Sequence, residues 1–296
     1  MLPACNLLAS LAAAFAASSV GAQQSRLFTD CRGAPSASPT VILESGAFGT
    51  SADWDLVLAS LSAGGRVCAF DRAGLGGSTP DSNGKDAVSR GEEIGRLLDQ
   101  IGEARPVILV GHSNGALYAL AFAKLHPERV AGLVYVNGAG PDDLDDPALV
   151  AAYVAERRMS NLAVAAGRLG VAPLVATALT REESLSGDAA RRKRKGLTCR
   201  PCLAVARDED MLILPGLAAV RDLPGRVTAI PTVVITGDPH PATGLADSWR
   251  RAETASARRA SKSWILEAPG ASHVSPLSRD LDYIDAAVGW LRSLAL

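Results

Sequence analysis

Apolar residues along this chain fall into two alternating kinds of run. Short continuous runs, rich in β-branched residues, occur at Thr40–Glu44, Arg66–Phe70, Val107–Val110, Val130–Val136, Thr232–Thr236 and Ser263–Glu267. Unbroken apolarity over so few residues is what a strand covered on both faces requires. Between these runs lie stretches with apolar residues at helical spacing. They are Ser51–Ser62 (through Trp54, Leu58 and Leu61), Val88–Ile101 (through Ile94, Leu97 and Leu98), the Ala/Leu-rich run ending at Leu125, Leu245–Arg259 and Asp280–Leu294. Arg26–Cys31 reads as a short edge strand. Strand–helix alternation of this kind predicts an α/β fold with a mostly parallel, doubly wound sheet.

The alternation stops near Gly140. Residues 141–226 are richer in Ala, Arg and Asp and carry helical but no strand periodicity. The pattern therefore predicts a core made of residues 23–140 and 227–296, with 141–226 inserted as a helical cap. Open α/β sheets bind ligands at the carboxyl ends of their strands, so a cap inserted after one strand is placed to shape a pocket there.

The chemistry centres on Val107–Leu125, VILVGHSNGALYALAFAKL. A buried strand runs into Gly-His-Ser-Asn-Gly and continues as a helix, the context that gives a G-x-S-x-G string its meaning. A serine on so sharp a turn needs neighbours without bulk two residues either side, which Gly111 and Gly115 supply. Ser113 is thus the candidate nucleophile, and the Asn114 amide at the helix N-terminus a candidate oxyanion donor. The alternative is a serine that only caps the helix.

A serine nucleophile needs a base and a group to orient it. The chain has 4 His. His112 flanks the nucleophile on the opposite side of the turn, and His126 ends the nucleophile helix; both read as structural. His240 lies between prolines in Asp-Pro-His-Pro. His273, in the loop after the last strand, emerges at the same sheet edge as Ser113 and is the favoured base. For the acid, Asp238 follows strand Thr232–Thr236, while Asp142 and its neighbour Asp143 follow Val130–Val136. The latter pair also reads as an N-cap to the first cap helix. Asp247 reads as the first turn of a helix.

Further segments accompany these in order: Glu-Ser-Gly-Ala-Phe-Gly with Ala-Asp-Trp, then Asp-Arg-Ala-Gly-Leu-Gly-Gly-Ser, then His-Pro-Glu-Arg-Val. With Gly-His-Ser-Asn-Gly they are similar to signature segments of the α/β-hydrolase superfamily. The resemblance is strong over Thr40–Val136, moderate over Thr232–Leu296 and absent in the cap. It implies that the loop after the first buried strand supplies a second oxyanion amide. Many members have His-Gly there; this chain has Ser45-Gly46, which leaves Ala47 or Phe48 as donor. It also implies that Asp71-Arg72 is a structural corner. Asp238 is the favoured acid, and because some members hold the acid where this chain has Val136-Asn137, Asp142 stays as the alternative.

These readings predict a serine hydrolase that cleaves carboxylic esters through an acyl-enzyme, with no cofactor and no metal. Amide, lactone or carbon–carbon bond hydrolysis on the same scaffold, or a non-catalytic binding protein, are the alternatives. Epoxide and haloalkane hydrolysis are disfavoured, because they use Asp as nucleophile.

Composition narrows this further. At 48% hydrophobic and 21% charged residues the chain suits a large core. A net charge of −1 gives no field for nucleic acid, so the expected partner is a small ester-like substrate. Leu7–Val20 is an uncharged apolar run ending in Val20-Gly21-Ala22, which reads as a signal peptide over residues 1–22 and places the protein in the periplasm or outside the cell. No Lys or Arg precedes Arg26, an unusual n-region. No run reaches the length of a membrane span, so no stable membrane insertion is expected.

Removing the signal takes away Cys5 and leaves Cys31, Cys68, Cys199 and Cys202. In an exported chain these suit two disulfides, Cys31–Cys68 and Cys199–Cys202, or two structural thiol pairs. A redox reading of Cys-Arg-Pro-Cys lacks a surrounding βαβ unit, and a zinc reading lacks further ligands. The basic run Arg191–Lys195 is preceded by Glu182, Glu183 and Asp188 and followed by Asp208–Asp210, which predicts a solvated cap face. Leu174-Val175 and Leu212-Ile213-Leu214 suit either an acyl pocket or ordinary packing. Nothing in the pattern speaks to oligomeric state.

Overall fold

The computed structural model describes residues 26–295 apart from 171, 175, 178–183, 186 and 238–243. The signal-peptide reading, Glu182, Glu183, Val175, Asp238 and His240 lie outside the described residues.

Seven strands form one sheet: β1 (Thr29–Arg32), β2 (Val41–Glu44), β3 (Val67–Phe70), β4 (Val107–His112), β5 (Val130–Val136), β6 (Thr232–Thr236) and β7 (Ser263–Glu267). Their order is β1-β3-β2-β4-β5-β6-β7. Only β1 runs antiparallel, against β3; every other neighbouring pair is parallel. The edge strand therefore begins later than the pattern suggested. Residues 26–28 instead bond outward, with Arg26 and Phe28 amides donating to the Thr79 and Ser78 hydroxyls.

The strands β2, β3 and β4 are buried throughout, as continuous apolar runs must be when helices cover both faces. On one face pack α2 (Ala87–Gln100) and α3 (Asn114–Leu125), with Leu97, Leu98, Leu117 and Phe122 fully buried. On the other pack α1 (Asp55–Leu61) and the C-terminal helix Asp282–Leu294, through Val57, Leu58, Ile284 and Val288. The N-terminus of α2 is capped by Asp86, whose carboxylate accepts from the Val88 and Ser89 amides.

Between β5 and β6 the described residues form helices and turns and no strand. A 3-10 turn at Pro141–Asp145 leads into α4 (Pro147–Arg168), α5 (Gly187–Thr198), α6 (Arg200–Met211) and α7 (Ile213–Asp222). After β6 comes α8 (Ala246–Arg259), with Asp247 in its first turn, and the C-terminal helix closes the chain as α9. Ile213 on α7 is core packing, while Leu174 and Leu212 are exposed.

Cys31 and Cys68 are directly opposed in the β1–β3 register and are disulfide-bonded. Cys199 and Cys202 are bonded at the start of α6.

The basic run is not a solvated face. Arg191 stays outside, paired with Asp188. Arg192, however, reaches Asp30 and the Ser51 hydroxyl, and Lys193 is buried with its ammonium 2.7 Å from Asp53. Helical spacing turns one residue in three or four inward, so this run spans both faces of α5. The acids after it also point inward: Glu209 and Asp210 are 2% and 3% exposed.

Candidate active site

Parallel strands deliver their carboxyl ends to one edge, and the candidate residues gather there. Ser113 follows β4 with φ 53° and ψ −127°, a left-handed backbone that a side chain rarely adopts. The surrounding packing enforces it. A Cβ on Gly111 would lie 2.5 Å from the Ala116 Cα, and one on Gly115 would lie 2.4 Å from the Glu44 carbonyl oxygen. The strained turn is pinned by Ser113 N–H to the Val136 carbonyl (3.1 Å) and Ala139 N–H to the Ser113 carbonyl (3.0 Å). The strain leaves Ser113 as the partly exposed residue of an otherwise buried turn.

The loop Ser45–Gly49 after β2 faces the same turn: a Cβ on Gly46 would meet the Ser113 Cβ at 2.8 Å. Arg72 holds this loop from beneath, donating to the Ser45 carbonyl (2.6 Å) and the Gly46 carbonyl (2.9 Å). Gly49 N–H also donates to the Gly46 carbonyl. Among the described residues there are no cis peptides. In a planar trans unit the N–H points opposite to the C=O, so the Ala47 N–H is directed away from Arg72. Trp54 closes the loop, its indole N–H donating to the Ser45 hydroxyl, which donates in turn to the Thr50 carbonyl.

Arg72 is more than the corner its Gly-rich turn suggests. Its guanidinium is 1% exposed and also binds Glu44 at the end of β2 and Glu209 on α6, which Arg90 contacts as well. Burial opposes the charge on Arg72, but Glu209 and Glu44 outweigh it and hold it firmly protonated. Burial pushes the Glu44 carboxyl up to about 8, with Arg72 pulling the other way. One guanidinium thus ties the loop beside Ser113 to a cap helix.

His273 lies in the loop after β7 and shares two cavities with Ser113. Its backbone is fixed by His112 and Asn137. His112 Nε2 donates to the His273 carbonyl (2.8 Å), and the two rings meet at a tilt of 47° with 4.7 Å between centroids. Burial lowers the His112 pKa to about 4, so His112 stays neutral and acts as support. Asn137, itself at φ 44°, donates to the His273 carbonyl (3.1 Å) and accepts from Gly237 N–H (2.9 Å). One side chain therefore joins the His273 loop to the residue just before Asp238. Sequence reasoning noticed Asn137 only as a place where an acid was absent.

Asp142 is elsewhere. It is held by the Arg259 guanidinium in a separate cavity of about 350 Å3, with Lys124 and Arg221 on its walls. Asp143 is buried in the 3-10 turn, accepting from Gly140 N–H and the Tyr153 hydroxyl, and burial pushes it up to about 7. His126 caps α3 and meets Glu92 at 3.1 Å.

Two spaces lie above Ser113, and Ser113, Asn114, Glu156 and His273 line both. The larger, about 280 Å3, is walled by the Ser45–Gly49 loop, Met159, Lys193, Asp210 and Leu277. The smaller, about 30 Å3, is closed by Tyr153, Trp249, Glu156 and Glu253. Neither contains Leu174 or Leu212–Leu214. Burial raises Glu156 to about 7 and Glu253 to about 8, and nearby carboxyls add to both shifts. Residues 141–226 supply Glu156, Asp210 and Lys193, none of which the pattern marked as part of a site. Among the described residues no cluster of three or more His, Cys, Asp or Glu side chains is arranged to hold a metal.

Comparison with known proteins fits this architecture. Residues 41–286 match the profile of the Alpha/beta hydrolase family. A stretch of 114 residues is 34% identical to a putative carbamate hydrolase RutD from Caulobacter sp. (strain K31), covering 38% of this chain and 42% of that one. The chain spans less than half the length of the curated relatives it matches. A putative alpha/beta hydrolase from Nostoc sp PCC 7120 superposes with a TM-score of 0.73 at 18% identity, covering 92% of this chain and 96% of that one. A thermophilic esterase from Thermogutta terrifontis does so at 0.63 and 20% identity, covering 91% and 94%.

Proposed function

The chain belongs to the alpha/beta hydrolase family, and from that premise we propose that it is an exported serine hydrolase acting on carboxylic esters. The observation that carries this is the left-handed backbone of Ser113 at a strand-to-helix elbow, in a cavity shared with His273. Strain at a polar residue that lines a cavity serves a chemical purpose more readily than a structural one.

In this reading His273 takes the Ser113 proton as Oγ attacks the ester carbonyl. The oxyanion is held by Asn114 N–H at the start of α3 and by Ala47 N–H. Ala47 is preferred to Phe48 because the Gly46–Ala47 peptide is oriented by Arg72. The alcohol leaves with the proton from His273, and water then cleaves the acyl-enzyme with the same His273 as base. Asp238 is the proposed acid. Supporting it are the Asn137 bridge from Gly237 to His273 and the engagement of Asp142 by Arg259 in another cavity.

Export is supported by the apolar Leu7–Val20 run and by the two disulfides. No helix among the described residues is long and apolar enough to cross a membrane. Recovery of a mature N-terminus near Gln23 would confirm export, and an intact Met1 on protein from an exporting host would refute it.

Fluorophosphonate labelling with peptide mapping tests the catalytic reading. One adduct on Ser113, lost in Ser113→Ala, is expected. A folded protein that takes no label on Ser113 would overturn it.

A further inference from the structure

The small chamber beside Ser113 has a composition that an ester pocket does not need. Of its 9 lining residues two are carboxylic acids, Glu156 from α4 and Glu253 from α8, and none is Lys or Arg. Glu253 is only 5% exposed; its carboxyl has the Thr236 hydroxyl beside it, and its Oε2 is buried with no further partner. A buried carboxyl oxygen in that state is one that a ligand donor would satisfy. The remaining walls are aromatic. Tyr153 and Trp249 meet edge to face at 5.4 Å between centroids and are 2% and 6% exposed. Carboxylates and π faces around one small space make a cage for a cation. At about 30 Å3 it admits one small group and nothing bulkier.

We propose that this chamber holds an aliphatic ammonium group of the substrate, so that the bond cleaved at Ser113 lies in a molecule carrying a primary amine close to the scissile carbonyl. The inference rests on Ser113 being the nucleophile. The larger space over the Ser45–Gly49 loop then takes the rest of the molecule, with Ser113 and His273 at the junction of the two.

The charges around the pair favour this assignment. Asp143 lies behind Tyr153, whose hydroxyl it accepts, and Asp143 and Asp210 both add negative potential at Glu156. Among the described residues, Arg250 and His273 are the basic groups near Glu253 and the chamber, while Lys193 in the adjoining space is engaged by Asp53. An incoming ammonium lets both carboxyls ionise, so binding strengthens as pH rises through 7 to 8, the values about which Glu156 and Glu253 are held by burial.

The test uses the rate of fluorophosphonate labelling at Ser113, with propylammonium chloride or 1-propanol as protectant at constant ionic strength. At pH 8.5 propylammonium should halve the rate at a concentration about tenfold lower than propanol does. That preference should shrink toward unity at pH 6 and in Glu253→Gln. Equal protection by the two compounds at pH 8.5 overturns the ammonium site while leaving the serine reading intact. So does a preference unchanged in Glu253→Gln. Should that variant not fold, Glu156→Gln and the wild-type pH comparison decide the matter in the same way. Absence of any label on Ser113 strikes the underlying reading instead.

Discussion

Glu209→Gln tests the tie between the cap and the loop beside the nucleophile. Glu209 on α6 accepts from Arg72 Nη2 at 2.8 Å and from Arg72 Nε at 3.1 Å, and lies 2.8 Å from Arg90 Nη2. All three side chains are 1% exposed. Glutamine preserves the shape, removes one negative charge and turns an amide N–H2 toward guanidinium donors. Removing one partner of a buried pair costs about 3–5 kcal/mol. Some of this is recovered here, because Glu44 sits 2.7 Å from Arg72 with its pKa pushed up to about 8 and is available to ionise in response. A net loss of about 3 kcal/mol is therefore expected. With a urea slope of about 3 kcal/mol per M, the midpoint should fall by about 1 M. Because Arg72 also holds the Ser45 and Gly46 carbonyls, labelling of Ser113 should slow in the folded variant. A urea midpoint within about 0.3 M of wild type would refute the clamp.

Other outcomes follow from single contacts. Gly115→Ala would drive a Cβ to 2.4 Å from the Glu44 carbonyl oxygen, a backbone atom that cannot yield; soluble protein should be largely lost, and a variant as stable as wild type would contradict the packing. Asp143 and Glu253 are held up to about 7 and about 8 by burial, above an unfolded value near 4. Between those limits the folded chain binds more protons than the unfolded one, so stability falls as pH rises. The Tm should drop from pH 5 to pH 8, and less so in Glu253→Gln; a rising Tm would oppose this. The Cys31–Cys68 bridge spans 37 residues, and its replacement by two serines should cost about 3–4 kcal/mol, read from denaturation midpoints. The three-residue Cys199–Cys202 loop should cost about half as much, since a short loop removes less unfolded-state entropy.

The sequence by itself determined everything governed by local chemistry. β5, β6 and β7 have the bounds their apolar runs predicted; in β5 and β6 this follows from burial on both faces, while β7 is the sheet's exposed edge and keeps an apolar centre between polar ends. The elbow at Ser113 was legible because only glycine fits at Gly111 and Gly115. His112 and His126 read as structural from their places beside the elbow and at the end of the nucleophile helix, although the partners that hold them, His273 and Glu92, are distant in sequence. What only tertiary structure decided are the contacts between distant segments. Arg192 and Lys193 looked like part of a solvated run, yet they reach Asp30 and Asp53 across the fold. Glu209 and Asp210 looked like surface acids and instead face Arg72 and the cavity above Ser113. Asn137 carried no chemical signal until its amide was seen to join Gly237 to His273. A charged side chain has the same letter whether water or a buried counterion receives it. The choice between the two is made by where the sheet and the cap helices bring the chain, and no local pattern encodes that.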